Sequence, residues 1–195
     1  MQIESKEQKI LKDIFNSPQD SFDLFLNQKI YSRSELFRLH FKLILFAPIF
    51  KLLSNVFQIY ILGFFFSSEV PIKIYDGILS SIGFYLIVLI FIHHLDILLV
   101  KLRAGDAELE QFENKDIFLL SFIPFSASAI FWAIPKPWNI VLILISLIYS
   151  LQLSFLSMKT ILYFTLKQVF VFIFYIIIFI LILSSIFLTV FKWLR

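Results

Sequence analysis

Residues Val169–Phe191 read VFVFIFYIIIFILILSSIFLTVF, with no charged side chain anywhere in the run. A bilayer core of roughly 30 Å takes about 20 residues of helix to cross. The run meets that length, and a helix apolar on every face has no side to turn toward water. The same ruler, moved toward the N-terminus, finds four further runs: Leu43–Phe66, Ile78–Val100, Ile117–Ile134 and Ile140–Met158. The expected fold is all-α: an integral membrane bundle of five transmembrane helices over residues 43–195, preceded by a cytoplasmic amphipathic segment over 1–42.

Composition agrees with this expectation. The chain is 59% hydrophobic and 16% charged, with a mean hydropathy of +0.89. Soluble domains sit near 45–50% apolar and about 25% charged, so too few polar residues remain to coat a water-facing surface. The absence of cysteine excludes disulfides, thiolate nucleophiles, iron–sulfur clusters and Cys-based zinc sites. The 26 Phe, beside abundant Ile and Lys, fit an AT-rich coding genome and point to a bacterial cytoplasmic (inner) membrane.

The first forty residues are the one sizeable polar stretch. Ile3, Ile10, Leu11, Ile14 and Phe15 fall near helical spacing among charges, which predicts a short amphipathic helix. Ser17-Pro18-Gln19-Asp20 reads as a second helix start, with Phe22, Phe25 and Leu26 on one face. Ser32-Arg33-Ser34-Glu35 has the capping-box pattern and is expected to open the helix that enters the membrane. No long apolar run follows a short basic head, so the first span is expected to act as its own insertion signal.

Two of the expected spans are irregular. Lys51, Asn55 and Gln58 interrupt the first, and Pro48 is a kink site within it. Pro124 interrupts the third, where neighbouring helices can accommodate it. Lys136 between Pro135 and Pro137 marks a tight turn that makes spans three and four antiparallel neighbours.

Lys and Arg in the short flanks set the orientation. Lys6, Lys9, Lys12, Lys29, Arg33, Arg38, Lys42, Lys101, Arg103, Lys115, Lys159 and Lys167 fall on one side of a five-span chain, twelve in all. Lys73, Lys136, Lys192 and Arg195, four in all, fall on the other. The N-terminus is expected in the cytoplasm and the C-terminus outside. Trp132, Trp138 and Trp193 then land at the outer boundary as an aromatic belt.

Ionisable groups within spans are costly and mark either an ion pair or a functional site. Lys51, Asn55 and Gln58 share one face of the first span, and His93 and Asp96 share one face of the second. Lys51 and Asp96 are expected to meet. A structural ion pair joining spans one and two is the favoured reading, and a coupling-ion or proton site is the sharper one. His93, Asp96 and His40 make a weakly supported metal set against the simpler reading of interfacial polar groups near Lys101 and Arg103.

Ser146, Ser150, Ser154 and Ser157 line one face of the fourth span, and Ser121, Ala127, Ser128 and Ala129 surround Pro124 in the third. Small residues at such spacing allow close helix approach, so packing is the first reading and a polar path the alternative. The acidic run Gly105–Glu113 reads as a solvated connector, with a basic protein partner at the cytoplasmic face as the alternative. No phosphate-binding glycine loop, Ser/His/Asp set or HExxH motif occurs, so no catalytic residue and no cofactor is expected. Nothing suggests nucleic-acid binding.

Several short motifs together resemble the YIP (Ypt-interacting protein) family of five-span membrane proteins, its bacterial members above all. Asn16-Ser17-Pro18-Gln19-Asp20-Ser21-Phe22 is similar to the family's opening Asn-Pro-x-x-x-Phe segment. His94, Gly105, Phe112, Pro124 and Pro135 stand in the family's order, and Ser157-Met158-Lys159-Thr160 is similar to its lead-in to the fifth span. The Asp-Leu-Tyr-Gly-Pro signature of eukaryotic members is absent. The resemblance implies a five-span fold more than a reaction. The expected function is a non-enzymatic membrane protein organising lipids or partner proteins, with a small transporter or channel component as the alternative.

Overall fold

The computed structural model describes residues 6–22, 32–62, 73–103, 115–160 and 164–193. Among these residues the chain is helical almost throughout, with no strand. In order, α1 spans Lys6–Asn16, α2 Arg33–Val56, α3 Ile78–Arg103, α4 Lys115–Ser121, α5 Ile123–Ala127, α6 Trp138–Thr160 and α7 Leu166–Trp193. A π-helical turn, Phe57–Leu62, prolongs α2, and a 3₁₀ segment, Ser128–Ala133, prolongs α5. The chain divides into two compact units, Met1–Ser154 and Phe155–Arg195.

Local chemistry explains the ends of α2. Ser32 Oγ accepts the Glu35 amide at 3.3 Å, and Glu35 Oε2 accepts the Ser32 amide at 2.9 Å. This is the reciprocal capping box expected from the sequence. It starts the helix at Arg33, as expected, and the helix runs on through residues 42 and 43, where the membrane span is expected to begin. Pro48 sits within that helix without ending it. Residues 63–66, the expected end of the first span, lie outside the described residues.

The N-terminal helix is amphipathic as its spacing predicts. Ile10 and Ile14 are buried, and Glu7 forms a salt bridge with Lys42 of α2. Phe15 stacks on Tyr149 of α6, with ring centroids 6.2 Å apart.

Among the described residues two helices are long and apolar enough to cross a membrane, Ser34–Ile61 and Trp138–Lys159. Ile78–Ile92, Ile123–Ala133 and Leu166–Phe179 are shorter apolar stretches among the described residues. The expected third span, 117–134, is not one helix but three short pieces, α4, α5 and the 3₁₀ segment. Pro124 is the cause: it has no amide hydrogen to give Leu120, and its ring collides with the preceding turn. Phe122 sits at the break with φ −93° and ψ 4°.

Beside an apolar core, several polar side chains are buried and many large apolar ones are exposed. His40, Asn55, Ser81, Ser121, Ser126, Ser128 and Ser150 are buried. Phe41, Leu45, Ile49 and Leu53 of α2 are exposed, as are Ile140, Leu144, Ile145 and Ile148 of α6. In α7, Val169, Phe172 and Ile176 are buried, while Phe170, Phe174, Ile177 and Leu181 are exposed. Exposed apolar surface on this scale marks a face that meets lipid or another protein.

Candidate functional site

Residues 118–129 are buried almost without interruption, Ala127 alone being half-buried. A broken helix in such a place has amides and carbonyls that the helix itself cannot satisfy. Side chains from three neighbouring helices of the first unit supply the partners.

From α2 comes His40, fully buried. Its Nε2 lies 2.8 Å from the Leu119 carbonyl near the C-terminal end of α4, and its Nδ1 lies 2.7 Å from Ser126 Oγ. A carbonyl only accepts, so Nε2 carries the hydrogen. In the neutral ring Nδ1 then accepts from the Ser126 hydroxyl. The imidazole thus clasps α4 to α5 across the break.

From α6 comes Ser150, whose Oγ accepts the Phe125 amide at 3.0 Å. Phe125 lies in the first turn of α5, where amides lack helical partners, and Phe122 provides no side-chain cap. Ser150 therefore caps α5 from another helix. From α3 comes Tyr85, whose hydroxyl lies 2.9 Å from Ser128 Oγ. Ser128 in turn donates to the Phe125 carbonyl at 2.6 Å, so the Tyr85 hydroxyl donates to Ser128. The ring of Tyr85 also packs on Phe125 at a centroid distance of 5.0 Å.

A second polar group lies at the other end of α2. Asn55, fully buried, donates from Nδ2 to the carbonyls of Ile74 and Asp76, each at 2.8 Å. Its Oδ1 is buried without a partner among the described residues. The Asp76 carboxylate accepts the Lys73 amide at 2.9 Å, folding the turn back on itself. Gly77 closes this turn at φ +76°, a conformation that side chains disfavour. A Cβ there would also stand 3.1 Å from Lys51 Cε. Gln58 donates to Ser54 Oγ at 3.1 Å, within its own helix.

Lys51 itself is 7% exposed. Its Nζ lies 6.0 Å from the ring centroid of Trp132, and no carboxylate lies within salt-bridge distance among the described residues. A cation over an indole gains about 0.5–2 kcal/mol. Taking an ion out of water costs several kcal/mol. The ring alone does not compensate the charge.

The structure describes part of the site expected from the sequence. Lys51, Asn55 and Gln58 share a neighbourhood, and the first two reach the 73–77 turn. His93 and Asp96 belong to α3, which begins immediately after Gly77, and their side chains lie outside the described residues. At 1.5 Å per residue, Asp96 is about 28 Å along the axis from Gly77, and His93 about 24 Å. Lys51 sits beside Gly77, and the Asp96 half of the expected contact lies outside the described side chains.

Sequence reading missed the parts played by His40, Tyr85 and Ser126. Pro124 held the usable signal: a proline break inside an apolar segment requires polar side chains from its neighbours. His40 and Tyr85 are polar groups available for that on adjacent helices. Ser150 and Ser128 were expected at packing surfaces, and both are buried there.

The chain matches no family model, no curated protein and no solved structure.

Proposed function

We propose that this chain is a non-enzymatic polytopic membrane protein of YIP-like, five-span architecture. Its N-terminus faces the cytoplasm, it resides in a bacterial cytoplasmic membrane, and it organises lipids or partner proteins there. The exposed apolar faces support the membrane setting: Phe41, Leu45, Ile49 and Leu53 of α2, Ile140, Leu144, Ile145 and Ile148 of α6, and Phe170, Phe174, Ile177 and Leu181 of α7 are all exposed.

The observation that carries the reading against a transporter is the closure of the central polar contacts. His40 uses both ring nitrogens, and Ser150 and Ser128 are spent on the backbone of the broken helix. Non-helical backbone at membrane depth is tolerated where protein buries it or where it lines a water-filled cavity. Saturated hydrogen bonds on buried side chains favour the first. At the broken helix these groups meet protein rather than a solute.

The lack of cysteine makes the test clean. Single variants Ser126→Cys and Ser150→Cys, in sealed membrane vesicles, are exposed to a membrane-impermeant maleimide, with Lys136→Cys as the exposed control. The proposal expects rapid labelling at 136 and labelling of 126 and 150 only after denaturation. Labelling of Ser126→Cys at the control rate, from either side, would instead favour the transporter.

A further inference from the structure

We propose that Lys51 and Asn55 form part of a binding site for an anionic phosphate group, held at the end of α2 next to the 73–77 turn. The inference rests on the membrane reading above and names the ligand chemistry for which this end of the unit is built. Lys51 is an ammonium removed from water, in a segment long and apolar enough to cross a membrane. An isolated charge in that setting takes a partner of opposite sign. Among the described residues none stands within ion-pair distance.

The second observation is independent of charge. Asn55, one helical turn beyond Lys51 on the same face, is fully buried, and its Oδ1 lacks a hydrogen-bond donor. Its amide nitrogen is already committed to the carbonyls of Ile74 and Asp76, which fixes the side chain. A buried acceptor without a donor is rare in native proteins and costly to leave so. A group that offers both negative oxygens and a hydroxyl satisfies the two residues together. Phosphate esters have that chemistry, whether as the glycerol-bearing headgroup of an anionic lipid or as free hydrogen phosphate. Trp132 forms the wall behind the ammonium.

The test is thermal stability of the purified full-length protein in a neutral detergent. Phosphatidylglycerol, phosphatidylcholine or inorganic phosphate is added to wild type, to Lys51→Met and to Lys159→Met, an exposed lysine elsewhere. Phosphatidylglycerol at about 100 times its dissociation constant is expected to raise the melting temperature of wild type and of Lys159→Met by roughly 5 °C. Lys51→Met should show no rise, and without lipid it should melt no lower than wild type, because it removes an uncompensated charge. A response to inorganic phosphate that Lys51→Met abolishes supports the same site with a soluble ligand. An equal response of Lys51→Met to phosphatidylglycerol overturns the proposal, as does the absence of any response in wild type. So does destabilisation of Lys51→Met in the absence of lipid, which would give the ammonium a partner within the chain. Retention in alkaline-washed membranes, measured on the same preparations, keeps the two readings apart. A protein that is retained but unresponsive loses this site alone, whereas one released by the wash loses the membrane reading as well.

Discussion

A histidine with both nitrogens engaged can do little except hold its neighbours in place. In a buried setting each of His40's bonds also relieves a partner that would otherwise be stranded. One is the Leu119 carbonyl at the end of α4, and the other is the Ser126 hydroxyl in α5. A buried polar group left unpaired costs about 1–3 kcal/mol. His40→Leu strands two such groups while keeping apolar bulk, so a loss of roughly 2–4 kcal/mol is expected. For a chain of this length that lowers the melting temperature by about 5–15 °C. Phe41→Leu, one residue along on the exposed face of the same helix, should shift it by no more than a degree or two. Melting measured in detergent decides the matter, and equal curves for the two variants would remove His40 from the structural account.

At the scale of elements, the broken segment 115–133 explains why the helices around it carry polar residues where they do. The serine face of α6 turns inward: Ser150, Ser154 and Ser157 are buried, whereas Leu144 is 47% exposed. Ser150→Leu removes the cap on the Phe125 amide and places bulk against α5. Leu144→Phe changes only an outer face. The first should cost several degrees of melting temperature and the second close to none, and equal stability in detergent would dissolve the serine interface. The helices, the capping box at Ser32 and the inward serine stripe were legible in the sequence, because length, apolarity and spacing determine them locally. The surroundings of Lys51 were not, because the 73–77 turn is tied to α2 by Asn55 bonds between residues 19 and 21 positions apart. His40's role was equally hidden, since it arises from contacts between residues 79 and 86 positions apart.

For the whole molecule, lateral placement and orientation follow from charge rather than from packing. Lys and Arg near the ends of spans resist translocation, and twelve of them fall on one side of the proposed five-span chain against four on the other. This arrangement holds only if the broken segment crosses the membrane as a unit and if α7 crosses once more after it. An even number of crossings would bring the C-terminus back to the side of the N-terminus. The most direct measurement is therefore a pair of reporter fusions, one near Gly105 and one after Arg195, made with an enzyme active only in the cytoplasm. The account predicts activity at Gly105 and none after Arg195. Activity after Arg195 would contradict it.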